Sequence, residues 1–511
     1  MVDDFIKHEL IESRDYQNSI FESAKDKNTL VVLPTGLGKT IISIMVVNYR
    51  LSKYEGSKAL ILAPTKPLIE QHYRTFSRLT RFSLGIASGE IPPDRRKQEY
   101  DAHQVIFATP QTIENDISTS NIDLSSFSVL VVDEAHHSIG NYSYVNVAKA
   151  FYKSSKFPSL LALTASPASD MAKIKAICKN LGISNIEMKS EIDEDVSKYV
   201  KSKLIEEIKV TLPPEILDLL VKVKGLIDQN ISDLKEVGIM KDVSASKINR
   251  RLILQLQSEF RKKMASGDRK FYVIRGVIIT SKILKLYHAY DLLAIESLEA
   301  FRNFMQKIVI GKAKSDKEIA KLEETKYIIE MAGHLLERGI ETPKLAEVER
   351  ILKEKMDKSK RCIVFTQYRD TVDIIFKHLK HIEGISPVRF IGQGNGGLSQ
   401  KEQVEIIRDF ESGVYNVLIA TSVAEEGISI KDVDVAIFYE AVPSAIRSIQ
   451  RRGRVGRFNV GTVYMLITAG TNDEGYYWVS KRREKAMRKL VEGLKKDKNM
   501  IINDGTLNPF T

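Results

Sequence analysis

Residues 1 to about 200 alternate short, uninterrupted apolar runs with amphipathic or turn-forming stretches. The runs are Leu30 to Leu33, Ala59 to Ala63, Val105 to Ala108, Val129 to Val132 and Leu160 to Leu163. A run with no polar alternation predicts a strand covered on both faces, and the crossovers between these runs predict a parallel sheet. The same grammar returns near residue 340, at Arg361 to Thr366, Val388 to Ile391, Val417 to Thr421, Val433 to Tyr439 and Gly461 to Ile467. A second α/β domain is expected there.

Between about 205 and 335 the pattern changes. Long stretches rich in Leu, Ile, Lys and Glu appear at Pro214 to Leu234, Val243 to Met264 and Lys282 to Val309, and no proline occurs between Pro214 and Pro343. Leu252, Leu256, Phe260 and Met264 recur at helical spacing, which predicts an amphipathic helix. The expected architecture is α/β, with two parallel-sheet domains at 1–204 and 336–490, an α-helical insert at 205–335 and a tail at 491–511. The GQGNGG stretch at 392–397 reads as a flexible loop.

At 511 residues the chain is long enough for about three domains, each with its own core. Its 43% hydrophobic and 28% charged residues are ordinary for a folded protein. Cys178 and Cys362 stand far apart without C-x-x-C partners, so no disulfide framework or zinc site is expected. The first residues, MVDDFIKHEL, show neither a basic nor an apolar leader region, and no apolar run reaches the roughly 20 residues a membrane span needs. A cytoplasmic location without a membrane partner is the expectation.

The net charge of +11 favours a polyanionic partner through counterion release. Residues 201–340 hold 26 Lys plus Arg against 19 Asp plus Glu, an excess of +7. Local clusters there include Arg250, Arg251, Arg261, Lys262, Lys263, Arg269 and Lys270. A solvated helix face accounts for part of that charge.

Specific chemistry begins at LVVLPTGLGKT, residues 30–40, where an apolar strand runs into a glycine-rich turn and then a helix. In a P-loop of this kind Pro34, Thr35, Gly36, Leu37 and Gly38 form the turn around phosphate, and the glycines let the backbone N–H groups after Pro34 close on it. Lys39 reaches the outer phosphate oxygens and Thr40 ligates Mg²⁺. Leu33 stands where the strict motif has glycine. At 129–136, VLVVDEAH places two carboxylates at a strand end, with Asp133 suited to Mg²⁺ and Glu134 to orienting the attacking water. His136 and His137 have no ligand set around them in sequence, and His136 is expected to link the nucleotide site to nucleic acid or to the second domain.

With these motifs in order, the chain resembles superfamily 2 DExH helicases along almost its whole length. The T-G-x-G-K-T form of the loop is usual there. Arg14 and Gln17 in SRDYQ look like the adenine-reading Q motif, and APTKPL at 63–68 resembles motif Ia. Thr109 in ATPQT resembles motif Ib, and TAS at 164–166 resembles motif III. In the second domain VFTQYRDT at 364–371 resembles motif IV, ATSVAEEGI at 420–428 motif V and QRRGRVGR at 450–457 motif VI.

The resemblance implies two RecA-like motor domains, ATP and Mg²⁺ as cofactors, and nucleotide contacts from Glu426 and Gly427. It also implies nucleic-acid contacts from Thr65, Lys66, Thr109, Gln367 and Thr421, and coupling through His136, Thr164 and Ser166. Gln450, Arg454 and Arg457 fall at i, i+4 and i+7, on one helical face suited to arginine fingers completing the ATP site from across the cleft.

The finer resemblance is to archaeal Hef and Fanconi anaemia group M helicases, with the Dicer and RNA-sensor helicases as cousins. It rests on RFIGQ at 389–393, GLSQKEQ at 397–403, YEAVPSAIRSIQRRGR at 439–454 and the insert. It implies a motor acting on forked or branched DNA, and the insert's positive clusters, Arg261, Lys262 and Lys263 among them, are expected to grip duplex near the junction. Val455 replaces the threonine usual in motif VI, and no E-R-K-x-x-x-D nuclease motif follows, so a nuclease or repair factor is expected as a separate partner or in a longer parent chain. A double-stranded RNA translocase is the alternative within the superfamily, and a nucleotide-dependent scaffold is the alternative outside it.

Overall fold

The structure, a computed structural model, describes residues 4–34, 36–165, 171–190, 193–199, 204–237, 239, 248–357, 359–392, 397–421, 433–441 and 461–496. Two parallel sheets carry them. The first holds β1 (Thr29–Val32), β2 (Lys58–Leu62), β3 (Leu84–Ala87), β4 (Val105–Ala108), β5 (Phe127–Val132), β6 (Leu160–Thr164) and β7 (Asn185–Met188), in the order β3-β4-β2-β5-β6-β1-β7. Strands β1, β4, β5 and β6 are buried at every residue, as their unbroken apolar runs require.

The second sheet holds β8 (Leu204–Val210), β9 (Cys362–Phe365), β10 (Pro387–Phe390), β11 (Val417–Ala420), β12 (Val435–Phe438) and β13 (Thr462–Thr468), in the order β10-β11-β9-β12-β13-β8. Both cysteines are free and buried. No helix among the described residues is long and apolar enough to cross a membrane.

Two boundaries expected from sequence move. Strand β8 pairs with β13 over its whole length, so the residues just after 204 belong to the second sheet and not to the insert. Its sequence, LIEEIKV, hid it because an edge strand carries charges that discourage further pairing. The helix Asn472–Lys496 likewise runs through the boundary expected at 490.

The expected helix at Lys282 to Val309 is two helices, Phe271–Asp291 and Leu298–Val309, joined by a buried π-helical turn at Leu292–Glu296. Ser297 ends the run: its backbone is extended and its hydroxyl caps the next helix by accepting from the Ala300 N–H.

The insert and the second sheet share one hydrophobic core, from Leu212 through Leu352 to β9, β11, β12 and β13. A buried polar network runs through that junction. The Lys344 ammonium meets the Asp473 carboxylate at 2.7 Å, both fully buried, and Asp473 also accepts from the Ala441 and Thr468 N–H groups. Arg250 and Asn472 both donate to Asp291, at 2.6 and 3.0 Å.

Glu296 lies beside them, with Thr371 donating to one carboxyl oxygen at 2.9 Å while the other has no hydrogen-bond partner. Burial pushes the Glu296 carboxyl up to about 7, although the Lys344 charge and the Thr371 hydroxyl pull the other way. Because the folded-state value lies above the unfolded one, the protonated form stabilises the fold below about pH 4.5, and that contribution is lost as pH rises through 7. Unfolding in urea should therefore show Glu296→Gln losing less stability than the parent between pH 4.5 and 8, by roughly 3 kcal/mol at the upper end. Parallel pH profiles for the two proteins would rule out a protonated Glu296.

Candidate nucleotide and nucleic-acid site

Strand order brings the expected motifs together. Along the C-terminal edge of the first sheet the neighbours are β4, β2, β5, β6 and β1. They end respectively at Thr109, at Thr65 and Lys66, at Asp133, at Thr164 and at the P-loop. Ligand loops of open parallel sheets gather at this edge. The loops read as contacting nucleic acid occupy one half of it, those read as contacting nucleotide the other, and β5 divides them.

The P-loop turns on Gly36 and Gly38, with φ of 87° and 79°. At Gly38 a Cβ would come within 2.2 Å of the Gln17 amide nitrogen, so the glycine is needed for space as well as for backbone angle. The Gln17 amide and the Tyr16 hydroxyl both donate to the Leu37 carbonyl, at 3.1 and 2.8 Å, and Gln17 is buried. The residue read as an adenine contact also braces the phosphate loop. Arg14 lies over the Tyr199 ring and bonds Tyr16 and Glu12. The Lys39 ammonium donates to the Leu33 carbonyl at 3.1 Å, and Thr40 opens the following helix, Lys39–Lys53.

Asp133 is buried at the end of β5, its N–H bonded to the Leu62 carbonyl and its own carbonyl accepting from the Tyr144 hydroxyl at 2.6 Å. His72 Nε2 lies 2.8 Å from Asp133 Oδ2, with both side chains under a tenth exposed, while Asp133 Oδ1 has no hydrogen-bond partner. Burial raises the Asp133 carboxyl, but the His72 hydrogen bond and the charges of His72 and Lys39 outweigh it and hold the group below the usual carboxylate value.

Glu134 follows with φ of 49°, a left-handed conformation that is uncommon outside glycine and that marks strain at a working position. His136 Nδ1 lies 3.2 Å from Glu134 Oε2 and 3.2 Å from the Thr164 hydroxyl, and so joins β5 to the end of β6.

An Mg²⁺ ion keeps several waters and takes few protein ligands besides substrate phosphates. A buried carboxylate with an unpartnered oxygen that feels the charge of Lys39, together with the threonine that follows that lysine, fits that donor set.

Most of the remaining sites are more open, although Thr421 is buried. Lys66 pairs with Glu90 at 2.5 Å, Thr109 caps the helix Pro110–Ser118 through the Thr112 N–H, and Gln367 and Thr421 follow β9 and β11. Arg261, Lys262 and Lys263 are exposed near the end of the helix Arg250–Ala265. That helix packs on Phe271–Asp291 where the Phe260 ring lies against Gly276. Thr35, Ser166, Glu426, Gly427, Gln450, Arg454 and Arg457 lie outside the described residues. Sequence reasoning missed His72 and Tyr144, since a lone histidine on an amphipathic helix and an aromatic at a helix start read as core.

Two parallel sheets bracketing a helical insert, with a P-loop, an acidic pair and a serving histidine on the first, define a superfamily 2 helicase. Residues 9–169 match the family described as "Type III restriction enzyme, res subunit", and 343–459 the "Helicase conserved C-terminal domain". Residues 214–335 match the "Putative ATP-dependent RNA helicase, helical bundle".

The crystal structure of the Pyrococcus furiosus Hef helicase domain superposes with a TM-score of 0.71 at 39% identity, covering 93% of this chain and 100% of that one. The "Putative ATP-dependent RNA helicase" of Methanocaldococcus jannaschii is 40% identical over 96% of this chain and 63% of its own length. The ATP-dependent DNA helicase fml1 of Schizosaccharomyces pombe is 32% identical over 96% of this chain and 61% of its own. The chain thus belongs to the helicase family of Hef, Mph1 and Fanconi anaemia group M, and spans about three fifths of the length of the M. jannaschii and S. pombe relatives.

Lys39→Ala and Glu134→Gln should each lower ATP turnover by about 10²- to 10³-fold, the usual cost of removing one group that stabilises transition-state charge. Circular dichroism should remain that of the parent. Near-parental turnover in either variant would remove that residue from the site.

Proposed function

We propose that this chain is an ATP-driven motor acting on DNA, with a preference for forked or branched structures. The observation that carries the reading is the strand order: β5, ending at Asp133 and Glu134, lies between β6 and the P-loop strand β1 on one side and β2 and β4, which lead to Thr65, Lys66 and Thr109, on the other. Lys39, Thr40 and Asp133 hold ATP with its Mg²⁺, which neutralises phosphate charge. Glu134 orients the attacking water, while His136 and Thr164 pass the state of the phosphate to β6. Gln450, Arg454 and Arg457 complete the site from the second motor domain.

Phosphate contacts position a motor without selecting a structure, so selectivity for a junction needs added surface. The helix pair of the insert supplies it. Around its turn lie exposed Arg261, Lys262, Lys263, Arg269 and Lys270, with Phe271 75% exposed among them. Arginine and lysine suit duplex phosphates there, and an exposed aromatic suits the unpaired bases of a branch. The names of the S. pombe and Mph1 relatives, DNA helicases, support DNA as the track. The M. jannaschii relative's name supports the second reading, motion on double-stranded RNA.

Steady-state ATPase titrations with forked DNA, linear duplex and double-stranded RNA separate these readings. Forked DNA should give the largest stimulation. Replacing Arg261, Lys262 and Lys263 by Gln should weaken fork binding and lower its salt slope by about one unit for each phosphate no longer neutralised. Stimulation by RNA alone would transfer the function to the second reading, and turnover indifferent to every nucleic acid would sink both.

A further inference from the structure

The charge on Asp133 has a partner that the motor chemistry described above does not use. His72 sits on the helix Lys66–Leu79, which opens at the β2 loop carrying Thr65 and Lys66, and its ring ends on the carboxylate at the neighbouring strand β5. Its Nε2 is 2.8 Å from Asp133 Oδ2, and the two side chains are 6% and 7% exposed, so water does not dilute the contact. An ionised carboxylate only accepts, so Nε2 carries the proton. The other ring nitrogen, Nδ1, is buried without a hydrogen-bond partner. Burying a polar ring atom unsatisfied costs free energy, and an apolar side chain would fill the same space without that cost. The ring's polar tie runs to Asp133 Oδ2, which leaves Oδ1 without a hydrogen-bond partner.

We propose that His72 is a positioning residue that orients Asp133 for its magnesium ion and ties that carboxylate to the nucleic-acid loop at Thr65 and Lys66. Lys66 and His72 are six residues apart on one helix, about 9 Å along its axis. A helix moves as a rigid rod over that distance, and a shift of its first turn is delivered to the imidazole. Lys66, held by Glu90 at 2.5 Å, sits where a phosphate competes for its ammonium. The strut crosses between the two halves of the sheet edge at β2 and β5, a route separate from the His136 to Thr164 link between β5 and β6. It rests on the motor reading above for the identity of the loop's ligand, and on geometry alone for the hold on Asp133.

The test uses the full chain with His72→Gln, His72→Asn and His72→Ala. Glutamine places an amide N–H about as far from the backbone as Nε2, whereas asparagine reaches only as far as Nδ1. The first readout involves no turnover: the Mg²⁺ concentration that half-saturates binding of a fluorescent, non-hydrolysable ATP analogue. Loss of a residue that orients a metal ligand costs about 10- to 100-fold in metal affinity or activity. His72→Ala and His72→Asn should raise the half-saturating Mg²⁺ by that factor, with His72→Gln returning most of it.

The second readout is the ratio of kcat with and without forked DNA, which should fall in the same two variants and recover in the third. A purely structural histidine predicts lowered thermal stability with the Mg²⁺ requirement and the DNA ratio unchanged, and that result overturns the proposal, as does a glutamine variant no better than asparagine. Should His72→Ala fail to fold, the glutamine and asparagine pair still decides. If the parent itself shows no DNA stimulation, the motor reading falls, and the Mg²⁺ readout still decides the hold on Asp133.

Discussion

A carboxylate that must stay ionised while almost out of water is the constraint around which the first domain is arranged. An isolated buried charge of that kind costs several kcal/mol or neutralises itself. Asp133 escapes neutralisation because groups from separate elements converge on it. Its main chain is fixed by Leu62 of β2 and by the Tyr144 hydroxyl, its carboxylate by His72, and the Lys39 charge lies near enough to lower its proton affinity. Two of those elements also carry another function: β2 leads to the loop at Thr65, and Lys39 opens the helix after the P-loop. Stabilising one charge therefore fixes the mutual positions of the Thr65 loop and the P-loop.

The strain at Glu134 belongs to the same arrangement. A fully buried strand ends at Val132, and the chain must turn sharply to present a second carboxylate next to the first without burying both in one place. The left-handed backbone at Glu134 makes that turn, and His136 then returns toward Glu134 and Thr164. With β6 lying between β5 and β1, Thr164 stands between the acidic pair and the P-loop, and its carbonyl accepts the Leu33 N–H. Changes at bound phosphate thus have a short covalent and hydrogen-bonded path into the sheet.

Much of this was legible before any coordinates, because buried parallel strands write themselves as apolar runs and because phosphate chemistry demands glycine, lysine and carboxylates at set places. Ten of the thirteen strands among the described residues were visible that way. Strands β3 and β7 were not: each is four residues long, β3 contains Gly85, and β7 contains Asn185 and Glu187, so neither forms an apolar run. Strand β8 was hidden by its edge charges. Of the site, the P-loop and the acidic pair were readable as motifs. From sequence His136 reads as a link to nucleic acid or to the second domain, and the structure places it between Glu134 and Thr164 of the first. The contact of His72 with Asp133 was not readable, since it comes from β2 and β5 being neighbours in space, and strand order is not written locally. The same holds for Gln17, whose motif suggests a base contact while its position beneath Gly38 adds a brace for the loop.

The path of the chain around the insert has a mechanical consequence. Strand β8 joins the edge of the second sheet before the insert begins, and β9 enters its middle after the insert ends, so both ends of the insert are anchored in that sheet. The shared apolar core then seals the contact, and buried hydrogen bonds such as those from Thr371 to Glu296 and from Asn472 to Asp291 cross it. Breaking such a bond leaves a buried polar group unsatisfied, at a cost of about 1 to 3 kcal/mol, so sliding at this junction is opposed more strongly than sliding at an ordinary wet interface between domains. The π-helical turn at Leu292–Glu296 is where the insert's backbone meets the sheet directly, its last carbonyl accepting from both Thr342 and Tyr439. A basic tip near Arg261 is thereby carried by the second sheet, and any displacement of that sheet against the first moves the tip relative to the loops at Thr65 and Thr109.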